Sequence, residues 1–356
     1  MLSALRDGFS SVVRNWGLVL VVLGTNLVLA LVLAVPLALQ LERDLAHTGA
    51  SGAMMYGFDY EWWSRWSEEQ EGPSRTFGPD VLGTGFAYKS LDLLLRGKLP
   101  AGAFADAAAR DGKEVSTRAA YAPQVVDPIV LGMGALYVLT QVFLFGGLLG
   151  VFREPRAGWV VRGFLHGCGF YFGRMVRVGL LALAAAGVLF ALNLPLADRV
   201  DELAREAVSE RSAFLLLLGR HALLFAALLL VHMVASFARV IVVVEERRSA
   251  LLAVVSSLGF CARHPFAAAG QYAVVVAASV LLVAAWSAFD ARFGVTGWKS
   301  QLVALGGFQA LLLGRIVLRL GLLAGQLELY RARSRRVLEP ATAAGPADAV
   351  PAAEAA

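Results

Sequence analysis

Six long runs of apolar residues, separated by polar segments, dominate the pattern of this chain. Each run holds at least 23 residues, whereas a helix needs about 20 residues to cross a hydrocarbon core of about 30 Å. Backbone amides in lipid must find their partners within the segment, so such runs form helices. The pattern predicts an all-α, polytopic membrane helix bundle with six transmembrane helices at 16–39, 128–152, 175–197, 213–244, 266–289 and 301–324.

The polar segments divide the chain into four parts. Residues 1–39 form an amphipathic segment and the first span, and Pro36 interrupts this span near its far end, where a helix is easiest to stop. Residues 40–127 form an extracytoplasmic loop, and residues 128–336 form the rest of the membrane bundle. The tail, 337–356, is rich in Ala and Pro without apolar periodicity, so it is expected to be disordered.

Arginine and lysine near the spans predict the orientation. Fifteen of them lie on the side that carries both termini, whereas the short loops of the other side hold five. Cytoplasmic loops carry the excess of positive charge, so both termini are expected in the cytoplasm. Trp16 and Trp159 at inner boundaries, with Trp286 and Trp298 at outer ones, agree with this orientation because indole rings prefer the interface. The expected location is a bacterial-type inner (plasma) membrane, crossed several times.

Composition supports a membrane protein and argues against some functions. Hydrophobic residues make up 58% of the chain and charged residues 17%, against about 25% charged in soluble domains. The net charge of +5 comes largely from Arg beside the spans, so no nucleic-acid partner is expected. Cys168 and Cys261 each have one histidine nearby, His166 and His264, which is too few ligands for a metal site. No metal or other cofactor is predicted.

Three segments that precede up-going spans share a pattern. In residues 4–16, 158–177 and 250–265, apolar and small polar residues fall at helical spacing, with an Arg near the end. Such segments are typical of amphipathic helices in the headgroup zone of the inner leaflet. Each precedes a hairpin of two spans, which predicts a threefold repeat of amphipathic helix plus hairpin. The alternative is coincidence among Ala- and Leu-rich segments.

The motifs SSVVRNW, GRMVR and CARHP stand before the three up-going spans. On these motifs the chain resembles six-span bacterial membrane proteins related to the glycerophosphodiesterase membrane domain. The resemblance implies a helical bundle without its own catalytic centre, because the phosphodiesterase activity of such proteins belongs to a separate soluble domain. The loop at 40–127 departs from the family pattern, so the resemblance leaves function open.

Arg315 and Arg319 are the candidate lipid-binding residues. They lie one helical turn apart on the sixth span, and no Asp or Glu falls within the core of any span. Ionisable residues inside a membrane usually mark functional sites. Two interpretations stay open: the side chains snorkel to the cytoplasmic interface, or they bind an anionic lipid headgroup between helices.

The long loop contains an aromatic cluster in the motif YEWWSRW, formed by Tyr60, Trp62, Trp63 and Trp66. One interpretation is an interfacial helix resting on the outer leaflet. The other is an aromatic interface for an envelope protein or a glycan, since Tyr and Trp combine an apolar ring with a polar group.

Two pairs of glycines predict close helix packing. Gly146 and Gly150 lie four residues apart on the second span, and Gly321 and Gly325 lie at the end of the sixth. Small residues at this spacing let membrane helices approach closely. The contact is expected within one subunit, and the alternative is a homodimer face.

No catalytic residues are predicted. Glu245 and Glu246, followed by Phe260 and His264, are similar to the motifs of membrane glutamate proteases, but Ala250 stands where those enzymes carry Arg. The leading interpretation is a non-enzymatic inner-membrane scaffold or accessory protein that contacts anionic lipid and an envelope partner. The alternative is a transporter or channel for a lipid-like or amphiphilic anion, and a membrane hydrolase is third.

Overall fold

A computed structural model describes residues 1–46, 48–49, 52, 59–70, 72–76, 127–154, 161–290, 292 and 298–338. Within these residues the structure has α-helices, one short 3-10 helix at Gly72–Thr76 and no β-strand. The helices are α1 (Leu2–Arg14), α2 (Trp16–Ala46), α3 (Tyr60–Glu69), α4 (Pro128–Arg153), α5 (Val161–Glu206), α6 (Glu210–Val244), α7 (Ala250–Arg263), α8 (Pro265–Asp290) and α9 (Trp298–Leu338). The predicted all-α fold is confirmed for the part of the chain described here.

Six helices, namely α2, α4, α5, α6, α8 and α9, are long and apolar enough to span a membrane. The predicted six spans are therefore confirmed. α2 continues through Pro36 to Ala46, so the helix is longer than the predicted first span, 16–39. α5 likewise continues through Pro195. A proline inside a membrane helix is tolerated where neighbouring groups and small local adjustments satisfy the freed carbonyl.

Each unit of the predicted repeat consists of an opening segment, at 4–16, 158–177 or 250–265, and the hairpin of two spans that follows it. The opening segments are helical where the structure describes them, and two of them are separate helices. α1 ends at Asn15, whose side chain donates to the carbonyl of Ser11 at 2.9 Å, and α7 ends at His264, directly before Pro265. At Asn15 the side-chain bond competes with the helical hydrogen bonds, and at Pro265 the missing amide donor interrupts them. The second unit has no such residue, so its opening segment and its span form the single helix α5.

Each opening segment packs against the last span of another unit, and the three units close into a ring. α1 packs on α9, the beginning of α5 packs on α4, and α7 packs on α6. A small residue lies at each contact: Gly8 of α1, Gly167 of α5 and Ser257 of α7. Small side chains let two helix backbones approach. Each opening segment therefore packs one face against another helix. The predicted position in the headgroup zone did not include this contact.

The two ends of the bundle are packed differently. α4, α6 and α9 contact one another, and most of their side chains are buried along 141–152, 233–243 and 320–330. In contrast, no side chain is buried along 128–140 of α4 or along 298–310 of α9. The densely packed part, which ends near Arg153 and Glu245, is named the closed half. The part that extends toward α3 is named the open half.

Candidate functional site: an arginine pair at the centre of the bundle

Two arginines from different helices flank one phenylalanine ring. The guanidinium carbon of Arg239 on α6 lies 4.8 Å from the ring centroid of Phe145 on α4. The guanidinium carbon of Arg319 on α9 lies 5.0 Å from the same centroid. Both are within cation–π distance, and the two charges are less than about 10 Å apart. Arg239 and Arg319 are named the arginine pair.

Polar side chains from neighbouring helices continue this site. Arg319 donates to Oε1 of Gln141 at 3.2 Å, and Nε2 of Gln141 donates to Oδ1 of Asn26 at 2.7 Å. Nδ1 of His232 lies 3.2 Å from the hydroxyl of Tyr272. Gln141, His232 and Arg319 stand where the buried stretches of their helices begin. Together these groups form a polar layer at the junction of the two halves.

The polar layer lies deep in the bundle. Eleven residues separate Arg319 from Tyr330 at the end of the closed half, a helical rise of about 16 Å against a hydrocarbon core of about 30 Å. Arg319 is exposed, and its guanidinium contacts Gln141 and Phe145. Arg315, one turn closer to the open half, is exposed.

The arginine pair has no carboxylate partner among the described residues. Glu328 is the one acidic residue in the buried stretches of α4, α6 and α9, and it lies 3.3 Å from Arg331. Two cations held less than about 10 Å apart repel each other, so the pair is unfavourable alone. The arrangement therefore favours a bound anion.

A second polar cluster lies at the far end of the closed half. Arg153 of α4 donates to Oε1 of Glu246 at 2.6 Å and to the carbonyl of Val243 at 3.0 Å. Arg331 of α9 donates to the carbonyl of Arg153 at 2.5 Å. These bonds join the ends of α4, α6 and α9. The cluster is named the latch, and it consists of Arg153, Glu245, Glu246, Arg247, Tyr330 and Arg331.

The latch also explains an unusual backbone conformation. Glu246 has φ 51, a left-handed conformation that residues other than glycine rarely adopt. Glu245 accepts from the Tyr330 hydroxyl and from Arg247, which also donates to Ser256 at 2.8 Å. Bonds on both sides of the turn thus hold the strained residue in place.

The same contacts bear on the hydrolase alternative. Glu245 and Glu246, which are similar to a protease motif, accept bonds from Tyr330 and Arg side chains of the latch. Within the described residues no group of three or more His, Cys, Asp or Glu side chains is placed to hold a metal ion. Cys168 and Cys261 are buried free thiols.

The predicted glycine pairs occupy different environments. A Cβ at Gly146 would lie 2.8 Å from the carbonyl oxygen of Gly167, but a Cβ at Gly150 would meet no atom within 4 Å. Gly147, which was not predicted as a packing residue, contacts α5, whereas Gly150 does not. Gly321 and Gly325 both face α1, with Phe9 and Leu5 against them. The face of α9 that carries Gly321 and Gly325 therefore packs against α1 of the same chain.

The aromatic cluster of the long loop is largely packed. α3 begins at Tyr60, and its residues Trp63 and Trp66 are 2% and 5% exposed. Nε1 of Trp66 donates to Asp44 of α2 at 2.7 Å, and the Trp62 ring stacks on Trp66 with centroids 5.8 Å apart. Trp62 is half-buried, so a ligand can reach part of its ring. The sequence of the long loop also predicts a helix bounded by Pro79 and Gly97, and this segment lies outside the described residues.

Comparison with protein-family models, with curated proteins and with solved structures gives no match to this chain. The site is therefore interpreted from its own geometry. Sequence reasoning selected Arg319 but missed Arg239, which lies near the end of the fourth predicted span, 213–244. The signal that could have found it is its position six residues before Glu245, about 9 Å inside the helix end.

Proposed function

We propose that this integral membrane protein is a non-enzymatic scaffold or accessory protein that holds an anionic lipid headgroup at the arginine pair. The supporting observation is that Arg239 and Arg319 flank Phe145 without a carboxylate partner in the described residues. Phosphate oxygens accept strong charge-assisted bonds from guanidinium groups. We assign Arg315, one turn away, to the same headgroup.

The proposal includes the orientation and the relationship suggested by the sequence. We place the latch at the cytoplasmic side of a bacterial-type inner membrane, in line with the excess of Arg there. We also propose a relationship to the six-span proteins associated with the glycerophosphodiesterase membrane domain, supported by the three units of opening segment and hairpin.

A transporter for a lipid-like or amphiphilic anion is the second candidate, because the open half leaves Arg315 and Arg319 exposed. The buried stretches along 141–152, 233–243 and 320–330 stand between the arginine pair and the latch end. Dense packing in these stretches supports the scaffold over the transporter.

Removal of either arginine is expected to weaken anionic lipid binding. Arg239→Gln and Arg319→Gln should each lower the affinity for phosphatidylglycerol about tenfold or more, since a bond to a charged group contributes about 1.5–3 kcal/mol. Arg315→Ala should lower it as well. Lipid that co-purifies with the detergent-solubilised protein, quantified per chain by mass spectrometry, measures the effect.

The matched control is Arg162→Gln, which removes an exposed arginine in the first turn of α5, away from the site. It should retain the wild-type amount of phosphatidylglycerol. Unchanged lipid in the Arg239, Arg319 and Arg315 variants would refute the proposed function.

We further propose that the long loop contacts an envelope protein or a glycan through the exposed side of α3. Trp62→Ala should then reduce capture of that partner, because Trp62 is half-buried and its ring is reachable. Glu61→Ala, in the same exposed first turn, is the control. Cross-linking at the loop in intact membranes measures capture, and equal cross-linking in Trp62→Ala and wild type would exclude this role for Trp62.

A further inference from the structure

The two halves of the bundle give the arginine pair different surroundings. On the closed side, nine side chains are buried in each of the stretches 141–152, 233–243 and 320–330. On the open side, α4 has no buried side chain over its first 13 residues, although the 3-10 helix at Gly72–Thr76 contacts this helix. Among the described residues, no buried side chain of 128–140 in α4 or 298–310 in α9 lies between the polar layer and this end of the bundle. The polar layer is therefore reachable from one direction.

The exposed groups of the polar layer lie on that reachable side. Arg315 and Arg319 are exposed although they belong to the inner helix α9, and His232 of α6 is exposed as well. His232 is also within electrostatic reach of Arg239 and Arg319. An anion that approaches from the open half thus meets positive charge before it reaches any densely packed layer.

The latch closes the opposite side by bonds rather than by apolar packing alone. Arg153 joins α4 to the end of α6 through Glu246 and Val243, and Arg331 joins α9 to α4 through the carbonyl of Arg153. Arg174 of α5 adds a bond to the carbonyl of Glu246 at 3.3 Å. Four helices are thereby held together below the arginine pair.

We infer that the anionic headgroup enters the arginine pair from the open half only, and that the latch keeps the opposite end closed to it. This inference rests on the proposed function, because it specifies the route to the same site. It makes the protein a one-sided receptor for a phosphate-type headgroup delivered from the side of α3.

Cysteine accessibility tests the route. The two native cysteines are replaced by alanine; Cys261 is 3% exposed, and burial raises the pKa of its thiol to about 11, so it contributes little reactivity. Single reporter cysteines are then introduced as His232→Cys and, in case that variant does not fold, Thr140→Cys. Val208→Cys in the turn after α5 and Arg248→Cys before α7 mark the two ends in sealed vesicles.

The reagents are 2-sulfonatoethyl methanethiosulfonate, an anion, and its trimethylammonium analogue. Relative to their ratio at Val208→Cys, the anion should react about tenfold faster than the cation at the reporter, because one-sign clefts concentrate counter-ions. Arg319→Gln should remove this preference. Reaction should occur from the side marked by Val208→Cys and be at least about tenfold slower from the side marked by Arg248→Cys.

Equal reaction from both sides, or no reaction from either side, would overturn the inference. The proposed function is tested separately in the same vesicles, by adding phosphatidylglycerol or phosphatidylcholine. Protection by phosphatidylglycerol alone supports headgroup binding. One-sided reaction without any protection would leave the route supported and the proposed function refuted.

Discussion

Gly147→Ala is expected to destabilise the protein clearly, whereas Gly150→Ala, three residues later in the same helix, is not. A Cβ at position 147 would lie 2.4 Å from Sγ of Cys168 and 2.7 Å from the carbonyl oxygen of Phe164. The carbonyl belongs to the backbone of α5, so the contact is relieved only if two helices separate. Overpacking of this kind costs about 1–3 kcal/mol.

Gly150→Ala is the matched control. Its Cβ would meet no atom within 4 Å, and alanine is favoured over glycine in a helix by about 0.5–1 kcal/mol. Thermal unfolding of both variants in one detergent, followed by circular dichroism, measures the difference. The order of unfolding midpoints should be Gly147→Ala below wild type, and Gly150→Ala at or slightly above it. The reverse order would show that α4 presents a different face to α5.

Arg153→Ala is expected to have the second large effect. The change removes the bonds to Glu246 at 2.6 Å and to the Val243 carbonyl at 3.0 Å, and a longer contact of 3.4 Å to the Tyr171 hydroxyl. The Arg153 side chain is 29% exposed, so water replaces these bonds only partly. A loss of about 1.5–3 kcal/mol is expected, as for hydrogen bonds to charged groups.

Arg199→Ala provides the comparison for an exposed ion pair. Arg199 pairs with Glu202 at 3.2 Å, but its side chain is 80% exposed, and such pairs contribute about 0–1 kcal/mol. Arg153→Lys should not restore stability, because an ammonium group lacks the fork that serves several acceptors at once. Equal unfolding midpoints for Arg153→Ala and Arg199→Ala would mean that the latch does not stabilise the closed half.

The helices that the sequence predicted best are those whose length and composition alone decide the outcome. All six spans are present because runs of more than 20 apolar residues can satisfy their amides in lipid only as helices. The ends of these helices were predicted less well. α2 passes Pro36, and on its extension Asp44 accepts a bond from Trp66 of α3 and Gln40 donates to Gln70, the residue after α3.

The candidate site was predicted in part. Arg319 was identified from a charge inside an apolar run, but its partner Gln141 lies on another helix. Arg239 and Phe145 lie on two other helices, and no spacing within one helix relates them to Arg319. Their meeting depends on how α4, α6 and α9 are rotated against one another.

By itself, the sequence determined the membrane class, the number of spans and the excess of arginine at one end, since each follows from local composition. Only the tertiary structure decided that Gly147, and not Gly150, contacts α5, that Gly8 lies at the contact of α1 with α9, and that Arg239 lies near Arg319. The physical reason is that lipid and the bundle core are equally apolar, so hydrophobicity does not distinguish the face that packs from the face that meets lipid.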